Sequence, residues 1–378
     1  MRDIAIFRHN LFRVSEPFIT EQARHLSRYK PFYLGRMRYG PTPVGTVSLA
    51  LADQVTPRAL PTIAWQILSR DPRPYERLLS GRQPALIHAH FGIEGVYALE
   101  LARRLGVPLV TTFHGFDATM STAALLTSPA WANYPLFRRR LAARGDLFLC
   151  ASAFIRKRLV GLGFPPARTC LHYIGVDCAA IRPRAAAEET PTILHVARLV
   201  EVKGTAYLLR ALALLPARHA AVTLVIIGDG PLRRRLQALA AELGLGERVR
   251  FLGAQPHEHV LASMHQAALL VLPSLRTRTG REEGLGMVLL EAAASGVPVV
   301  GSRVGGIPEG IVDGETGFLT PGRDPAAIAE HMITLLDDAE LRARMGAAAR
   351  ARVEQHFDIR RQTAALEALY DGLLSDRA

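Results

Sequence analysis

Short apolar runs alternate with segments of helical periodicity along the whole chain. The apolar runs are rich in β-branched residues, a pattern typical of strands covered on both faces of a parallel sheet. The first half of the chain contains the runs Ile4–Phe7, Phe32–Leu34, Leu86–Ala89, Leu109–Thr112, Leu147–Cys150 and Thr169–Leu171. The second half contains Ile193–Val196, Thr223–Ile227, Val249–Leu252, Leu269–Leu272, Pro298–Val300 and Phe318–Leu319.

The two series of runs predict two doubly wound α/β domains of Rossmann type. The polar stretch Ala185–Pro191 separates them and is the expected linker. We therefore expect an N-terminal domain over residues 1–188 and a C-terminal domain over 189–356. The amphipathic pattern of Arg360–Leu374 predicts a last helix, so that residues 357–378 pack back on the first domain. Ligands of such folds bind at the carboxyl ends of the strands, which makes the cleft between the domains the expected site.

The charge is unevenly distributed over the 378 residues. Residues 1–189 hold 25 Lys and Arg against 13 Asp and Glu, which accounts for the whole net charge of +12. This asymmetry indicates an anionic partner for the first domain, such as nucleic acid, a membrane surface or a phosphorylated substrate.

Membrane-spanning, exported and disulfide-rich proteins are not indicated. No apolar run approaches the ~18 residues that span a bilayer, and the start of the chain resembles a strand rather than a signal peptide. Cys150, Cys170 and Cys178 are too few for a disulfide scaffold and lack the spacing of a zinc site. A reducing cytoplasm is the expected compartment.

Two carboxylates, Glu283 and Glu291, bracket an apolar stretch that predicts the opening of a buried helix. In that position both can face one crevice and accept hydrogen bonds from a polyol, such as a sugar or a ribose. The alternative is that Glu283 stabilises a helix N-terminus electrostatically and Glu291 is a partnered surface acid.

Two cations, Arg198 and Lys203, follow a predicted strand and lead into a helix. An arginine fork and a lysine point charge at this spacing can clamp a diphosphate, although a solvated loop is the alternative. Gly305 and Gly306 also lie between a strand and a helix, where backbone N–H groups can approach phosphate oxygens or simply form a tight turn. The turn Gly228–Pro231 is a weaker signal. No complete GxGxxG or P-loop motif follows a strand.

The order of these motifs carries a family resemblance. They are Arg198…Lys203-Gly204, Gly228–Pro231, Pro273-Ser274, Glu283–Ala292, Gly296–Val300 and Gly305–Glu309. Together they resemble the retaining glycosyltransferases of the GT-B fold known as family 4. The likeness extends into the first domain through Ile87–Phe91, Thr112–Asp117 and Tyr173–Asp177. Ser15–Ile19 is similar to a stretch of bacterial exopolysaccharide and colanic-acid-type transferases.

The resemblance implies a role for individual residues of this sequence. Arg198 and Lys203 would bind the donor diphosphate and stabilise the charge that grows as the sugar leaves. Glu283 would bind the hydroxyls of the donor sugar and Glu291 those of the ribose, while His114 would reach the sugar from the first domain. The other expected donor contacts are Gly286, Met287, Val288, Gly228 and Gly230.

The residues also predict a reaction without a metal ion. No Asp-rich metal motif is evident, and two fixed cations can replace a divalent ion. We therefore expect no cofactor; the donor substrate is a nucleotide diphosphate sugar, with UDP favoured over GDP.

The acceptor-side candidates lie in the first domain. Glu16 can touch the acceptor or be a surface acid. His88 and His90 share one face of a strand, where an acceptor-site or packing role is favoured over metal binding. Asp117 can be a base, but a helix N-cap is the favoured role. Loop 8–15 lacks the Gly-Gly pair of many relatives, which makes it a candidate for acceptor recognition.

Two segments, Trp131–Arg144 and Ala153–Leu159, combine aromatic with basic residues. Such helices suit an anionic bilayer surface, where each basic residue contributes ~1 kcal/mol, although ordinary solvated helix faces are the alternative. Nucleic acid is not an expected partner, because no RNA- or DNA-binding motif is found.

These observations predict a cytoplasmic hexosyltransferase that is peripheral on the inner face of the cell membrane. It would move a hexose to a lipid-linked bacterial surface glycan or exopolysaccharide precursor. The alternatives are a non-catalytic nucleotide-sugar-binding partner of a glycan-assembly complex and a sugar-nucleotide epimerase of the same fold. The intact set of Arg198, Lys203, Glu283 and Glu291 argues against the epimerase.

Overall fold

The computed structural model describes residues 1–13, 15–53, 56, 59–185 and 190–375. The chain divides into two compact units, one formed by Met1–Gly175 with Ile359–Ala378 and the other by Val176–Asp358. Most of the expected linker, residues 186–189, lies outside the described residues, as does the expected domain boundary.

The first unit is built on a parallel sheet of eight strands. Their order is β2-β3-β1-β5-β6-β7-β8, with β4 also paired to β3. The strands are β1 (Arg2–Phe7), β2 (Asn10–Leu11), β3 (Tyr29–Arg38), β4 (Ser48–Ala52), β5 (Ile87–His90), β6 (Leu109–Phe113), β7 (Leu147–Cys150) and β8 (Thr169–Leu171). All the strands predicted for this half are present, and β2 and β4 are additional.

Helices connect these parallel strands, as the crossover between parallel strands requires. They are α1 (Pro17–Arg24), α2 (Leu60–Ser69), α3 (Arg73–Leu79), α4 (Gly92–Leu105), α5 (Phe116–Thr119), α6 (Thr122–Leu126), α7 (Pro129–Arg144) and α8 (Ala153–Gly161). Separate apolar clusters, one around Phe113 and Phe148 and one around Ile4 and Leu149, form the core of this unit.

The second unit has a parallel sheet of six strands in the order β11-β10-β9-β12-β13-β14. The strands are β9 (Thr190–Val196), β10 (Thr223–Ile227), β11 (Val249–Gly253), β12 (Ala267–Leu272), β13 (Val299–Ser302) and β14 (Gly317–Thr320). The helices are α9 (Thr205–Ala213), α10 (Arg233–Glu242), α11 (His257–Gln266), α12 (Met287–Ala294), α13 (Ile307–Gly310), α14 (Pro325–Asp337) and α15 (Ala339–His356). Every strand predicted for this half is present.

The last helix, α16 (Ile359–Ser375), belongs to the first unit. Its Glu367 is only 2% exposed and accepts hydrogen bonds from the backbone N–H groups of Ser27 at 2.7 Å and Arg28 at 2.6 Å. A carboxylate held in this way fixes the helix against the loop that precedes β3. None of the helices in the described part of the chain is both long and apolar enough to cross a bilayer.

Candidate active site

The centre of the candidate site in the second unit is an ion pair between Lys203 and Glu283. Lys203 ends the short 3-10 turn Glu201–Lys203, which lies between β9 and α9. Its Nζ donates to Glu283 Oε2 at 2.5 Å, and the hydroxyl of Ser274 donates to the same oxygen at 3.3 Å. The side chains of the pair are 20% and 16% exposed, so both charges are largely removed from water.

The loop after β12 packs directly against the Lys203 turn because of a glycine. Gly204 has a φ of +68°, and a Cβ at this position would lie 1.8 Å from the carbonyl oxygen of Pro273. The backbone N–H of Leu275 then donates to the carbonyl of Val202 at 2.8 Å. A larger residue at position 204 would separate the two loops that bring Ser274 and Lys203 together.

A second glycine supports Glu283 from the other side. Gly305 has a φ of +62°, and its Cβ would lie 2.0 Å from the carbonyl oxygen of Glu283. The N–H of Gly306 donates to that oxygen at 3.1 Å. The N–H of Gly306, which the sequence suggested for phosphate binding, is thus already engaged within the protein.

The charges around Glu283 include a cation that the sequence analysis did not assign. Burial alone raises the pKa of Glu283, but Lys203, Arg281 and the Ser274 hydroxyl outweigh it, so the pKa lies below its ordinary value. Arg281 also interacts electrostatically with Arg198. Lys203 and Arg281 therefore both act on the Glu283 carboxylate, and Arg198 lies close enough to Arg281 to interact with it. The only sequence signal for Arg281 was its place two residues before Glu283.

Arg198 itself is exposed and lies two residues after the end of β9. The turn after β10 packs against the backbone on both sides of it. A Cβ on Gly228 would lie 2.0 Å from the carbonyl oxygen of Ala197, and one on Gly230 would lie 2.5 Å from that of Leu199. These contacts explain why both positions need glycine, while their contact with a donor stays a prediction.

Glu283 does not open a helix, contrary to the interpretation of the sequence. Helix α12 begins only at Met287, because Gly286 before it has a φ of +85°. Met287 and Val288 are the first helical residues, and the first N–H groups of a helix lack intrahelical partners. Glu291 lies one turn into the helix, is 17% exposed and contacts His257 Nε2 at 3.1 Å.

In the first unit His114 lies at the end of β6 and stacks on His90. Its Nε2 is 3.0 Å from His90 Nδ1, while its Nδ1 has no hydrogen-bond partner among the described residues. Burial, and then the neighbouring histidines and Arg8, hold the pKa of His114 and His90 well below the ordinary value, so both rings are neutral at pH 7. A neutral imidazole can donate to or accept from a sugar hydroxyl.

His88, by contrast, is fully engaged within the protein. Its Nδ1 is 2.5 Å from the hydroxyl of Tyr370 in α16, and its Nε2 is 2.6 Å from the Thr112 hydroxyl. Of the two roles suggested for His88, packing is the one the contacts describe. No three His, Cys, Asp or Glu side chains in the described ranges are grouped as metal ligands.

Asp117 connects two neighbouring loops through hydrogen bonds. Its carboxylate accepts from the N–H of Gly92 at 2.9 Å and from the N–H of Gly115 at 3.0 Å. Since Gly92 is the first residue of α4, Asp117 caps that helix from a different element. Asp117 is only 1% exposed, and burial raises its pKa to about 6.

Glu16 belongs to a buried ionic network that the sequence did not reveal. Arg8 donates to both carboxylate oxygens of Glu16, at 2.8 and 2.9 Å, and also to Glu94. Burial alone raises the pKa of Glu94, but Arg8 and His9 lower it to about 2. The one hint was a charged residue inside the apolar start of α4.

Loop 8–15 is attached to the sheet rather than free, apart from Val14, which lies outside the described residues. Within it β2 pairs with the end of β3, and Phe12 has a φ of +60°. The loop borders a cavity of about 210 Å³, and Tyr33 lies in its wall. The role of the loop in acceptor recognition stays a prediction.

Two family models match this chain. The model described as "Glycosyl transferases group 1" matches residues 179–352, and the one described as "Glycosyltransferase Family 4" matches residues 34–180. Together they cover most of both units.

Proteins of related sequence also match most of this chain. The putative colanic acid biosynthesis glycosyltransferase WcaL of Escherichia coli (strain K12) is 36% identical over 288 residues, covering 74% of this chain and 69% of that protein. The GDP-mannose-dependent alpha-(1-6)-phosphatidylinositol monomannoside mannosyltransferase of Mycolicibacterium smegmatis is 33% identical, covering 79% of this chain and 81% of that protein. The amylovoran biosynthesis glycosyltransferase AmsK of Erwinia amylovora is 33% identical, covering 71% and 65%.

Solved structures agree in fold. HepE of Anabaena, in complex with UDP and glucose, superposes with a TM-score of 0.79 at 19% identity, covering 98% of this chain and 100% of that one. Sucrose-phosphate synthase from Thermosynechococcus elongatus gives a TM-score of 0.81 at 21% identity, with both chains covered completely. The chain belongs to the glycosyltransferase family that the two matching family models describe. Each unit has the doubly wound α/β architecture of the GT-B class.

Proposed function

We propose that this glycosyltransferase moves a hexose from a nucleotide diphosphate sugar to a lipid-linked precursor of a bacterial surface glycan or exopolysaccharide. The reaction proceeds with retention of configuration and without a metal ion. The observation that carries the proposal is the ion pair of Lys203 and Glu283 at the carboxyl end of the second sheet, with Arg281 acting on Glu283 and Arg198 interacting with Arg281.

The cations stabilise the diphosphate leaving group. As the bond between the sugar and the diphosphate breaks, negative charge grows on the phosphate oxygens. Fixed cations aimed at that charge lower the barrier because they need no reorganisation during the reaction. Lys203 is oriented by Glu283 and has three N–H donors, so it can hold Glu283 and a phosphate oxygen together. Arg198 is exposed and supplies the planar fork that matches a phosphate group.

Glu283 binds the donor sugar. Its Oε2 is occupied by Lys203 and Ser274, whereas Oε1 accepts no hydrogen bond from any residue in the described ranges. Because the carboxylate is ionised at pH 7, Oε1 can accept from a hydroxyl of the donor hexose. Glu291, held by His257, binds the ribose hydroxyls in the same way.

The first unit binds the acceptor. His114 is assigned to the donor sugar instead, because it keeps one ring nitrogen without a partner among the described residues and its neutral imidazole can bind a hydroxyl of that sugar. The cavity beside loop 8–15 receives part of the acceptor, with Glu16 and Asn10 in its wall. Asp117 holds the two loops in place and is not the base in this proposal.

The names of the relatives support the choice of pathway, but they point to two different nucleotides for the donor sugar. The E. coli and Erwinia relatives are named for colanic acid and amylovoran biosynthesis, which favours an exopolysaccharide precursor as the acceptor. The Mycolicibacterium relative is named for GDP-mannose and HepE was solved with UDP; we favour a UDP-sugar here. A lipid-linked acceptor and the basic first half of the chain together favour a peripheral position on the cytoplasmic face of the membrane.

The proposal is tested by assaying the purified chain with UDP- and GDP-hexoses and a lipid extract that contains polyprenyl-diphosphate-linked sugars. We expect release of one nucleoside diphosphate that depends on the extract, occurs in EDTA and yields a product with the anomeric configuration of the donor. Lys203→Ala serves as the inactive control. Hydrolysis that no extract accelerates, or a product of inverted configuration, would contradict the proposal.

A further inference from the structure

Helix α2 buries Ile63 and the polar Gln66 but leaves several apolar side chains exposed. Gln66 is completely buried and its amide donates to the carbonyl of Asp71. Trp65 and Leu68, in contrast, are 53% and 73% exposed. A helix on the surface of a soluble domain normally turns its apolar side inwards. The exposed side of α2 is therefore a candidate interaction surface.

The exposed side is continuous. Pro61, Ala64, Trp65 and Leu68 are all exposed and stand at the i, i+3, i+4 and i+7 positions, which place them on one face. Leu60 adds an apolar side chain that is 49% exposed at the start of the helix. We call these five residues the α2 stripe. Helix α2 contains no charged residue at all.

A cationic helix is fixed beside the stripe. The carbonyl of Ile67 accepts from Asn133 Nδ2 of α7 at 2.5 Å, and the Arg70 guanidinium lies 3.3 Å from the ring centre of Phe137. Helix α7 also presents Leu136, which is 63% exposed. The sequence of α7 contains four arginines, at 138–140 and 144, and no acidic residue.

The aromatic residues that the sequence suggested for membrane contact lie elsewhere. Trp131, Phe137 and Phe154 are packed against the core of the first unit, and Tyr134 is completely buried. The basic residues of α7 remain at the surface, where Arg140 pairs with Glu100, and apart from Leu136 the apolar side chains that accompany them come from α2. This separation of charge and apolar surface onto two helices could not be seen in the sequence.

We propose that the α2 stripe and Leu136 insert into the headgroup region of an anionic bilayer, while the arginines of α7 contact the lipid phosphates. Apolar helix faces with tryptophan enter this region, and nearby cations add electrostatic attraction to it. The inference rests on the proposed function, because a lipid-linked acceptor keeps the enzyme at such a surface.

The charges favour a bilayer over a second copy of the chain. A two-fold contact through the stripe would place the same surface patch on both subunits. It would bring the arginines of α7 from the two copies towards each other, and like charges in contact oppose association. An anionic lipid surface complements both the stripe and the arginines.

Vesicle binding tests the inference directly. The chain has two tryptophans, and Trp131→Phe leaves Trp65 as the only one. This variant is titrated with phosphatidylcholine vesicles that contain or lack phosphatidylglycerol. We expect binding that requires the anionic lipid, together with a blue shift of Trp65 fluorescence. Leu68→Glu should weaken binding about tenfold or more, since it removes an inserting apolar side chain and adds a charge.

Matched variants in the second unit provide the controls. Leu214 is an exposed leucine there, and Leu214→Glu should bind vesicles as the unchanged chain does. Arg139→Glu should weaken binding about fivefold, whereas Arg235→Glu on α10 should have no effect. The melting temperature of each variant shows that it is folded.

Three results would overturn the inference: equal binding to both kinds of vesicle, binding without a Trp65 shift, or equal binding by Leu68→Glu. A dimer that Leu68→Glu dissociates, in a chain that binds no vesicles, would assign the stripe to self-association instead. Vesicle binding needs neither nucleotide nor acceptor. Stabilisation of the unchanged chain by nucleotides, measured separately, therefore shows whether the proposed function fails independently.

Discussion

Lys203 and Glu283 form an ion pair of 2.5 Å at the carboxyl end of the second sheet, although 80 positions separate them in the chain. Lys203 is expected to bind the donor diphosphate and Glu283 the donor sugar, so the ion pair connects these two roles. A change at either position should therefore act on both parts of the proposed donor site, whereas a change at the exposed Arg198 should act on one.

A comparison of Lys203→Ala with Arg198→Ala should separate an effect on folding stability from an effect on donor binding. Lys203→Ala leaves the largely buried Glu283 carboxylate without its cation and should lower the free energy of unfolding by about 1–3 kcal/mol. Arg198 is exposed, so Arg198→Ala should change stability by no more than about 0.5 kcal/mol. Both variants should lose most of their affinity for the nucleotide sugar. Urea denaturation and calorimetry give the two quantities, and undiminished donor affinity in Arg198→Ala would remove its role on the diphosphate.

Gly305→Ala should displace Glu283. A Cβ at this position would lie 2.0 Å from the Glu283 carbonyl oxygen, and the φ of +62° adds backbone strain. Gly314→Ala is the matched control, because its φ is +81° but nothing lies within 4 Å of its Cβ. Both variants should lose about 1 kcal/mol of stability from strain, but only Gly305→Ala should lose transfer activity. Equal activities of the two folded variants would show that the contact with Glu283 is unimportant.

Asp117→Asn distinguishes a cap from a catalytic base. The amide nitrogen of Asn would face one of the two N–H groups that the carboxylate now accepts from, so stability should fall by about 1–3 kcal/mol. Activity per folded molecule should change little. If Asp117 were the base, kcat would fall by about 10²–10⁴-fold in a chain that is still folded.

Buried histidines should make the protein less stable in mild acid. His195 is completely buried, contacts the Val271 carbonyl at 2.8 Å and the Thr205 hydroxyl at 3.0 Å, and burial lowers its pKa to about 4. The unfolded chain binds a proton at this group below pH ~6.5 while the folded chain does not, so stability falls as the pH falls from 6.5 towards 4.

His195→Asn measures this contribution. It should be less stable than the unchanged chain at pH 7.5, but its further loss down to pH 5 should be smaller by about 2 kcal/mol. The exposed His259 provides a control, since His259→Gln should follow the pH dependence of the unchanged chain. Parallel stability curves for His195→Asn and the unchanged chain would mean that His195 does not cause the effect.

The sheets could be predicted because buried parallel strands have an unmistakable apolar pattern. All the predicted strands were found, while β2 was missed because two residues carry no periodicity, and β4 because its side chains are only partly buried. The place of Arg198 and Lys203 after a strand was predicted in the same way, while the roles of Arg198, Lys203 and Glu283 on a donor stay predictions.

Contacts over long distances in the sequence could not be predicted. Nothing in the sequence pairs Arg8 with Glu94 or Tyr370 with His88, because a charged or polar residue in a helix looks the same whether its partner is water or a distant side chain. Likewise, nothing in the sequence of α2 shows which side of the helix is exposed, since its orientation depends on Asn133 and Phe137 of α7.

The most direct test of the donor site is the change in melting temperature on adding UDP, GDP, ADP or their sugar conjugates in EDTA. A ligand at ~100 times its dissociation constant stabilises the folded state by about 2.7 kcal/mol. We predict such stabilisation by one base family, with UDP favoured, and its loss in Arg198→Ala. Stabilisation by none of these ligands, or only after a divalent metal is restored, would contradict a metal-independent nucleotide-sugar site around Lys203 and Glu283.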